Sequence, residues 1–306
     1  MVPDRGGSVE SGMSGQRFVS RGSAPLPVRC LAGAGLLILA AGAAEAASSA
    51  QPGQTVGLPV GAPLDVGLYF IDTSSFGVRD TSPRGSESNV NLPSFLWATP
   101  WQVAGGRLQF VVLQPVTAQS TRGAAYQSGF GQTLIAAQVA WKLPNHFNVS
   151  YLLGGYMPSD TAFAIRNPVL HQRFGLTYNG DGLNLTAHFL YGTFFDTRSP
   201  TGAFYPDFLN LDLTATKKFG KWEIGPVAFG STDLSARADP TYRRQGQFAV
   251  GGLVGYNFGP VNLQAYVTRD VVERNYGGLE TRGWLRVIVP IHGETNEAPR
   301  PLARKF

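Results

Sequence analysis

Residues 171–195 read HQRFGLTYNGDGLNLTAHFLYGTFF, and this stretch contains the pattern that decides the fold. Two segments of strand length flank an Asn-Gly-Asp-Gly sequence at 179–182, which is typical of a tight hairpin turn. In the second segment, apolar side chains alternate with Asn184, Thr186 and His188. Because successive side chains of a strand point to opposite sides of a sheet, this alternation predicts a hairpin with one apolar and one polar face.

The same pattern continues over the chain after residue 60, where strand candidates are joined alternately by tight turns and by long polar loops. Transmembrane β-barrels show this alternation, with tight turns on one rim and long loops on the other. The sequence therefore predicts an all-β fold, an antiparallel transmembrane β-barrel of the outer-membrane type. About twelve strands are expected, near 65–77, 89–101, 107–117, 130–142, 147–157, 171–179, 183–195, 207–219, 221–231, 246–258, 261–270 and 282–291.

The N-terminal region has the features of an export signal. Basic residues precede an apolar run over 31–40, and Ala44-Glu45-Ala46 fits a cleavage site, which predicts a cleaved signal peptide over 1–46. The run is too short for a membrane helix, which needs about 20 residues. The expected domains are that signal, a flexible periplasmic lead-in at 47–63, a barrel at 64–291 and a polar tail at 292–306. An even strand number puts both barrel ends on the tight-turn rim, which faces the periplasm.

Composition argues against several other classes of function. The single cysteine, Cys30, falls within the expected signal, so neither disulfides nor thiolate chemistry is expected in the mature chain. A net charge of +5 over 306 residues does not argue for nucleic-acid binding. The four histidines, His146, His171, His188 and His292, have no metal-ligand spacing. We therefore expect no catalytic, cofactor-binding or metal-binding residues, and no enzyme activity.

Aromatic side chains gather beside the predicted tight turns, on the apolar face of their strands. Rings prefer the membrane interface, so this placement predicts an aromatic girdle at one rim. Its expected members are Trp141, Phe147, Tyr178, Phe219, Trp222 and Phe258.

Charged and polar side chains share the opposite face of several strands and are expected to line the lumen. In a barrel of about twelve strands the bore is narrow, so these side chains either pair across it or line a restricted path. The candidate lumen-lining residues are Arg173, His188, Asp212, Lys218, Glu223, Gln264, Asp270 and Arg286.

Several glycine- and aromatic-rich motifs follow one another in a recognisable order. They are Gly67-Leu-Tyr-Phe-Ile71, Ser128-Gly-Phe-Gly131, Phe219-Gly-Lys-Trp-Glu-Ile-Gly-Pro226, Gly255-Tyr-Asn-Phe-Gly259 and Trp284-Leu-Arg-Val-Ile-Val-Pro-Ile291. In this order and spacing, nearly all of 60–291 resembles the meta-pathway phenol-degradation outer-membrane proteins. Members usually carry Asp after the Gly-x-Gly of the fourth strand, where this chain has Gln132.

The resemblance implies a role and a location. It implies a channel of a Gram-negative outer membrane for passive uptake of small hydrophobic or aromatic compounds. The expected partners are outer-membrane lipid, such solutes and the barrel-assembly machinery.

Three alternatives remain open at the level of sequence. The first is a structural or surface-interaction barrel with a plugged lumen and no transport. The second is a membrane-embedded hydrolase, for which His188 is the one histidine well inside a strand. The third is a soluble periplasmic barrel that binds an apolar ligand.

Overall fold

A computed structural model of the chain describes residues 48–80, 86–121, 125–161, 163, 166–198, 204–234 and 242–293. The predicted signal peptide at 1–46 and the tail beyond residue 293 lie outside these ranges. Within the described ranges, no helix is long and apolar enough to cross a membrane.

The described residues form one antiparallel sheet of fifteen strands. The first and last strands pair along their whole length, from Gly67 with Gly293 to Arg79 with Glu280, and this pairing closes the sheet into a barrel. The strands are β1 (Gly67–Arg79), β2 (Ser86–Asn91), β3 (Ser94–Val103), β4 (Gly106–Leu113), β5 (Val116–Thr121), β6 (Gln127–Phe130), β7 (Leu134–Lys142), β8 (Phe147–Tyr156), β9 (Val169–Tyr178), β10 (Leu183–Phe194), β11 (Phe208–Phe219), β12 (Trp222–Asp233), β13 (Gly246–Asn257), β14 (Asn262–Arg274) and β15 (Glu280–Gly293).

Three passes of the chain through the barrel are each broken into two strands. The pairs β2/β3, β4/β5 and β6/β7 are interrupted side by side, so the fifteen strands make twelve passes, as predicted. Pro93 and Pro115 lie in two of the breaks, and proline cannot donate a ladder hydrogen bond. The carbonyl of Pro93 accepts from the Gln114 backbone (3.1 Å), and that of Pro115 accepts from the Gly131 backbone (2.8 Å). The breaks therefore form one continuous bend across three passes.

Several of the tight turns contain two consecutive residues with positive φ angles. Both central residues of the turn between β3 and β4, Ala104 and Gly105, have positive φ angles of 48° and 79°. The turn between β9 and β10 has φ angles of 54° at Asp181 and 74° at Gly182. Type I′ turns need positive φ at both positions, because their twist then matches that of the strands. We call the rim with these turns the turn rim and the opposite one the loop rim.

The outer surface of the barrel is apolar, as a lipid-facing wall must be. Large side chains such as Ile135, Leu153, Phe174 and Val254 are exposed on it. The six predicted girdle aromatics lie beside tight turns and none is buried. Two of them pair with neighbouring tyrosines, Phe147 with Tyr178 at 5.2 Å and Trp222 with Tyr256 at 4.7 Å between ring centroids.

Candidate functional site: the barrel interior

Residues 48–62, which we call the inner segment, lie inside the barrel. Ala50 and Val56 are fully buried, and a series of turns folds the segment, including hydrogen bonds from Gln54 to Gln51 and from Leu58 to Thr55. The sequence predicted a flexible periplasmic lead-in over 47–63, and this prediction was wrong for the described part. The physical reason is that the polar backbone of the segment finds its partners on the barrel wall.

The Asp212 carboxylate on β11 holds the middle of the inner segment. It accepts hydrogen bonds from the backbone N–H groups of Gly53 (2.8 Å) and Thr55 (2.9 Å), and from the Thr55 hydroxyl (2.6 Å). His188 Nδ1 lies 2.8 Å from the same hydroxyl. Since the one hydroxyl proton points to Asp212, His188 must donate through Nδ1. Gly53 has a φ of +83°, a conformation that a side chain would strain.

Arg286 on β15 binds the same turn through its carbonyl groups. Its guanidinium donates to the carbonyl oxygens of Gln54 (2.7 Å) and Val56. The remaining donors go to Thr73 Oγ1 (2.8 Å), Gln264 Oε1 (2.9 Å) and the Tyr266 hydroxyl (3.0 Å). Arg286 is 0% exposed, and its five hydrogen bonds match the donor capacity of a guanidinium.

Below this turn, the inner segment is bound to the wall down to the turn rim. The Gly57 N–H donates to Thr214 Oγ1 (2.7 Å), and the Gly57 carbonyl accepts from Asn184 (3.1 Å) and Gln264 (3.2 Å). The Gly61 N–H donates to the Thr177 hydroxyl (3.0 Å). The segment therefore crosses the interior obliquely and is bonded at several depths.

Between the inner segment and the turn rim lies a cavity of about 530 Å³. Gly57, Leu58 and Pro59 of the segment form part of its lining, together with Lys218 and Glu223. We call this cavity the vestibule, and it ends at the inner segment.

A charged cluster lies near the loop rim. Arg79 contacts the carboxylates of Asp270 (3.4 Å) and Glu280 (3.1 Å), and Arg282 Nε donates to Glu280 (2.6 Å). Two cations thus face two carboxylates in a buried setting. The Tyr276 ring, in the loop between β14 and β15, lies 4.8 Å from the Arg79 guanidinium, and burial raises the pKa of its hydroxyl to about 12.

One side of the interior is apolar, which the sequence analysis did not predict. We call this set the inner apolar cluster. It lines the wall mainly from β2 to β11 and consists of Ala50, Val90, Leu92, Val111, Leu113, Leu134, Ala136, Leu152, Tyr156, Val169, Leu190, Phe194 and Phe208. Several of these strands are apolar on both faces, so alternation does not reveal which face is inward.

Aromatic rings connect the members of this cluster. The Tyr156 ring lies 5.1 Å from that of His171, which lies 6.1 Å from that of Phe208, and Phe194 stacks on Tyr205 at 5.0 Å. A neutral ring inside the barrel would therefore meet an apolar and aromatic surface rather than water or charge alone.

Comparison with known proteins agrees with this architecture. The model of the family described as "Putative MetA-pathway of phenol degradation" matches residues 70–287. The chain belongs to this family. No curated protein sequence matches the chain.

Among solved structures, this family member is similar to an outer membrane channel from Pseudomonas putida F1. The TM-score is 0.63 at 14% sequence identity, and the match covers 74% of this chain and 96% of that one. The translocator domain of the autotransporter NalP from Neisseria meningitidis matches with a TM-score of 0.46 at 13% identity, covering 74% of this chain and 89% of that one. The monoaromatic hydrocarbon channel CymD matches with 0.44 at 9% identity, covering 79% and 94%. The first similarity shows the barrel fold of outer-membrane proteins.

The structure places the eight candidate lumen residues in different surroundings. Six are buried inside the barrel, and they are Arg173, His188, Asp212, Gln264, Asp270 and Arg286. Glu223 is half-buried and accepts hydrogen bonds from Thr216 (2.5 Å) and Gln264 (3.2 Å), whereas Lys218 is exposed at the turn rim. His188, Asp212, Gln264 and Arg286 meet around the inner segment, and Asp270 belongs to the charged cluster.

In this family member Gln132, which follows the Gly129-Phe-Gly131 motif, also contacts the inner segment. It is buried in the break between β6 and β7, accepts from Ser49 Oγ (3.2 Å) and donates to the Asn167 carbonyl (2.9 Å). The amide therefore links the segment to the wall without adding charge.

Proposed function

We propose that this protein is a channel of the Gram-negative outer membrane for the passive uptake of small hydrophobic or aromatic compounds. It performs no catalysis and uses no cofactor. The proposal includes export through the signal peptide at 1–46, insertion by the barrel-assembly machinery, and the domain boundaries given above except for the inner segment. The barrel fold and the family's link to phenol degradation both support it.

The inner apolar cluster is the observation on which the proposal chiefly depends. A general porin has a polar, water-filled interior. Here buried Leu134, Leu152, Tyr156, Phe194 and Phe208 line one side of the interior. Burial of apolar area is favourable by about 25 cal/mol per Å², so a ring passing along this wall recovers part of its transfer free energy.

The inner segment crosses the path between the loop rim and the vestibule. Solute passage in this proposal therefore requires the segment to shift away from the apolar wall. Its bonds to Arg286 on β15 can hold it in place during such a shift, whereas its bonds to Asn184 on β10 and Thr177 on β9 have to break.

Uptake by cells tests the proposal. The initial uptake rate of a labelled monoaromatic alcohol is compared with that of a pentose of similar mass, in a Gram-negative host with and without the protein. We expect a higher rate for the aromatic compound and no change for the sugar. Equal increases for both would indicate a general porin, and no increase for either would contradict transport.

A structural barrel with a closed lumen is the second candidate, and the many bonds of the inner segment favour it. Planar-bilayer recordings of purified protein separate the two. We expect discrete conductance steps from a channel, whereas a permanently closed barrel gives none at any voltage that the bilayer tolerates.

A further inference from the structure

Arg173 on β9 is a buried cation without a carboxylate partner among the described residues. It is 7% exposed, and the directly opposite residues on the neighbouring strands are Leu152 and Leu190, both in the inner apolar cluster. Its Nε donates to His171 Nε2 (2.8 Å), but its Nη2 meets no hydrogen-bond partner in the part of the chain that the structure describes. A buried charge that is neither paired nor fully hydrogen-bonded is costly.

The other buried arginines of the interior differ from Arg173. Arg79 and Arg282 contact the Glu280 carboxylate, and Arg286 makes five hydrogen bonds to the inner segment and the wall. Asp212, whose charge interacts with that of Arg173, directs its oxygens to Gly53 and Thr55 instead. The guanidinium of Arg173 therefore keeps a donor for which the described residues supply no acceptor.

A second orphaned donor lies beside it. Gln54 of the inner segment is 4% exposed, and none of the described residues accepts a hydrogen bond from its Nε2. The Tyr156 hydroxyl lies close to both Arg173 and Gln54, so the two side chains border the same spot. The rings of Tyr156, His171 and Phe208 adjoin this spot on its apolar side.

We propose that Arg173 and Gln54 form a subsite for the carboxylate of a small aromatic acid, a compound of the benzoate class. The guanidinium fork matches the two oxygens of a carboxylate, and the amide of Gln54 donates a further hydrogen bond. The ring lies against Tyr156 and Phe208. This inference rests on the proposed function and narrows its solute class from small hydrophobic or aromatic compounds to aromatic carboxylates.

Equilibrium binding to the purified full-length mature protein in detergent tests the subsite at pH 7. The probes are benzoate, benzyl alcohol as a neutral ring of similar size, and acetate as a carboxylate without a ring. We expect benzoate to bind about tenfold or more tightly than either, because a hydrogen bond to a charged group contributes more than a neutral one.

Arg173→Met is the decisive variant. It replaces the cation with an apolar side chain of similar length between two leucines, so the thermal midpoint should stay unchanged or rise while the preference for benzoate disappears. Lys217→Gln, which removes a charge from an exposed position, is the control and should keep the preference. A lower thermal midpoint with benzoate binding retained would show that Arg173 is structural and would overturn the proposal.

The binding result and the uptake result are independent. If acetate or benzyl alcohol binds as tightly as benzoate, the proposed subsite is overturned, while the proposed channel function is unaffected. Benzoate binding that depends on Arg173, together with no uptake of any aromatic compound, would overturn the channel and keep the subsite.

Discussion

Asp212 brings three hydrogen bonds of the inner segment onto one carboxylate, although its partners are 157 and 159 positions away in the chain. Arg286 donates to two carbonyl groups of the same segment, which lie 230 and 232 positions away in the chain. The period-two pattern predicted that both side chains point inward. It gave no information on their partners, because residues 48–62 contain the Gly, Pro, Ser and Gln typical of a loop.

Asp212→Asn should loosen the inner segment while leaving the barrel folded. The amide can accept with one oxygen only and loses the charge that strengthens three hydrogen bonds, at a cost of about 2 kcal/mol. The open fraction in planar-bilayer recordings should therefore rise about 30-fold. Asp181→Asn, in an exposed turn with a φ of 54°, makes the same chemical change away from the segment and should leave the recordings unchanged. Equal recordings from both variants would contradict this role of Asp212.

Glu280→Gln should destabilise the barrel itself. Glu280 contacts both Arg79 and Arg282, and all three side chains are buried. Removing the carboxylate leaves two guanidinium groups facing Asp270 alone, at a cost of about 3–5 kcal/mol. Urea unfolding in detergent micelles measures the change. Glu87→Gln, at an exposed position of β2, is the control, and a similar small effect for both would show that the cluster contributes little to stability.

At the scale of single strands and turns, the sequence predicted most of the fold correctly. Twelve passes, their antiparallel order and the two kinds of rim follow from local patterns, because turn chemistry and period-two alternation involve neighbouring residues. The breaks at Pro93 and Pro115 were only partly predictable. Proline marks two of the interruptions locally because it cannot donate a ladder hydrogen bond, whereas alignment of the three breaks depends on pairing between separate strands. The last strand also continues to Gly293, two residues beyond the predicted end at Ile291.

Ala104→Asn should stabilise the hairpin between β3 and β4. Ala104 has a φ of 48°, where asparagine is favoured over alanine, and it precedes Gly105 as in the preferred Asn-Gly turn. We expect the free energy of unfolding to rise by about 0.5 kcal/mol. Gly105→Ala is the contrasting substitution at the second position of the turn. The added Cβ would meet no atom within 4 Å, so the φ of 79° alone should lower the free energy of unfolding by about 1 kcal/mol. Opposite signs in urea unfolding would support the turn assignment, and equal signs would contradict it.

At the scale of the whole molecule, the lining of the interior changes around the barrel, with the inner segment in the middle. The inner apolar cluster lines much of the wall from β2 to β11, whereas the charged cluster and Arg286 lie on β1, β14 and β15, beside a second buried apolar cluster that includes Phe229 and Trp284. The sequence predicted the polar side from alternation on β10, β11 and β14. The apolar side could not be predicted, since strands that are apolar on both faces do not reveal which face is inward.

Deleting residues 48–61 should convert the closed interior into a permanently open one. The barrel closes through β1 and β15, whose pairing begins at Gly67, so the deletion leaves every strand contact in place. We expect a larger, voltage-independent conductance in planar bilayers and a lower thermal midpoint, because Asp212 and Arg286 lose their partners. Replacing 48–61 with Gly and Ser of equal length is the matched variant and should also conduct, since a flexible Gly/Ser chain does not hold the folded conformation that aims these backbone groups at Asp212 and Arg286. If both variants conduct no better than the intact protein, the inner segment is not the obstruction, and the solute must pass beside it along the inner apolar cluster.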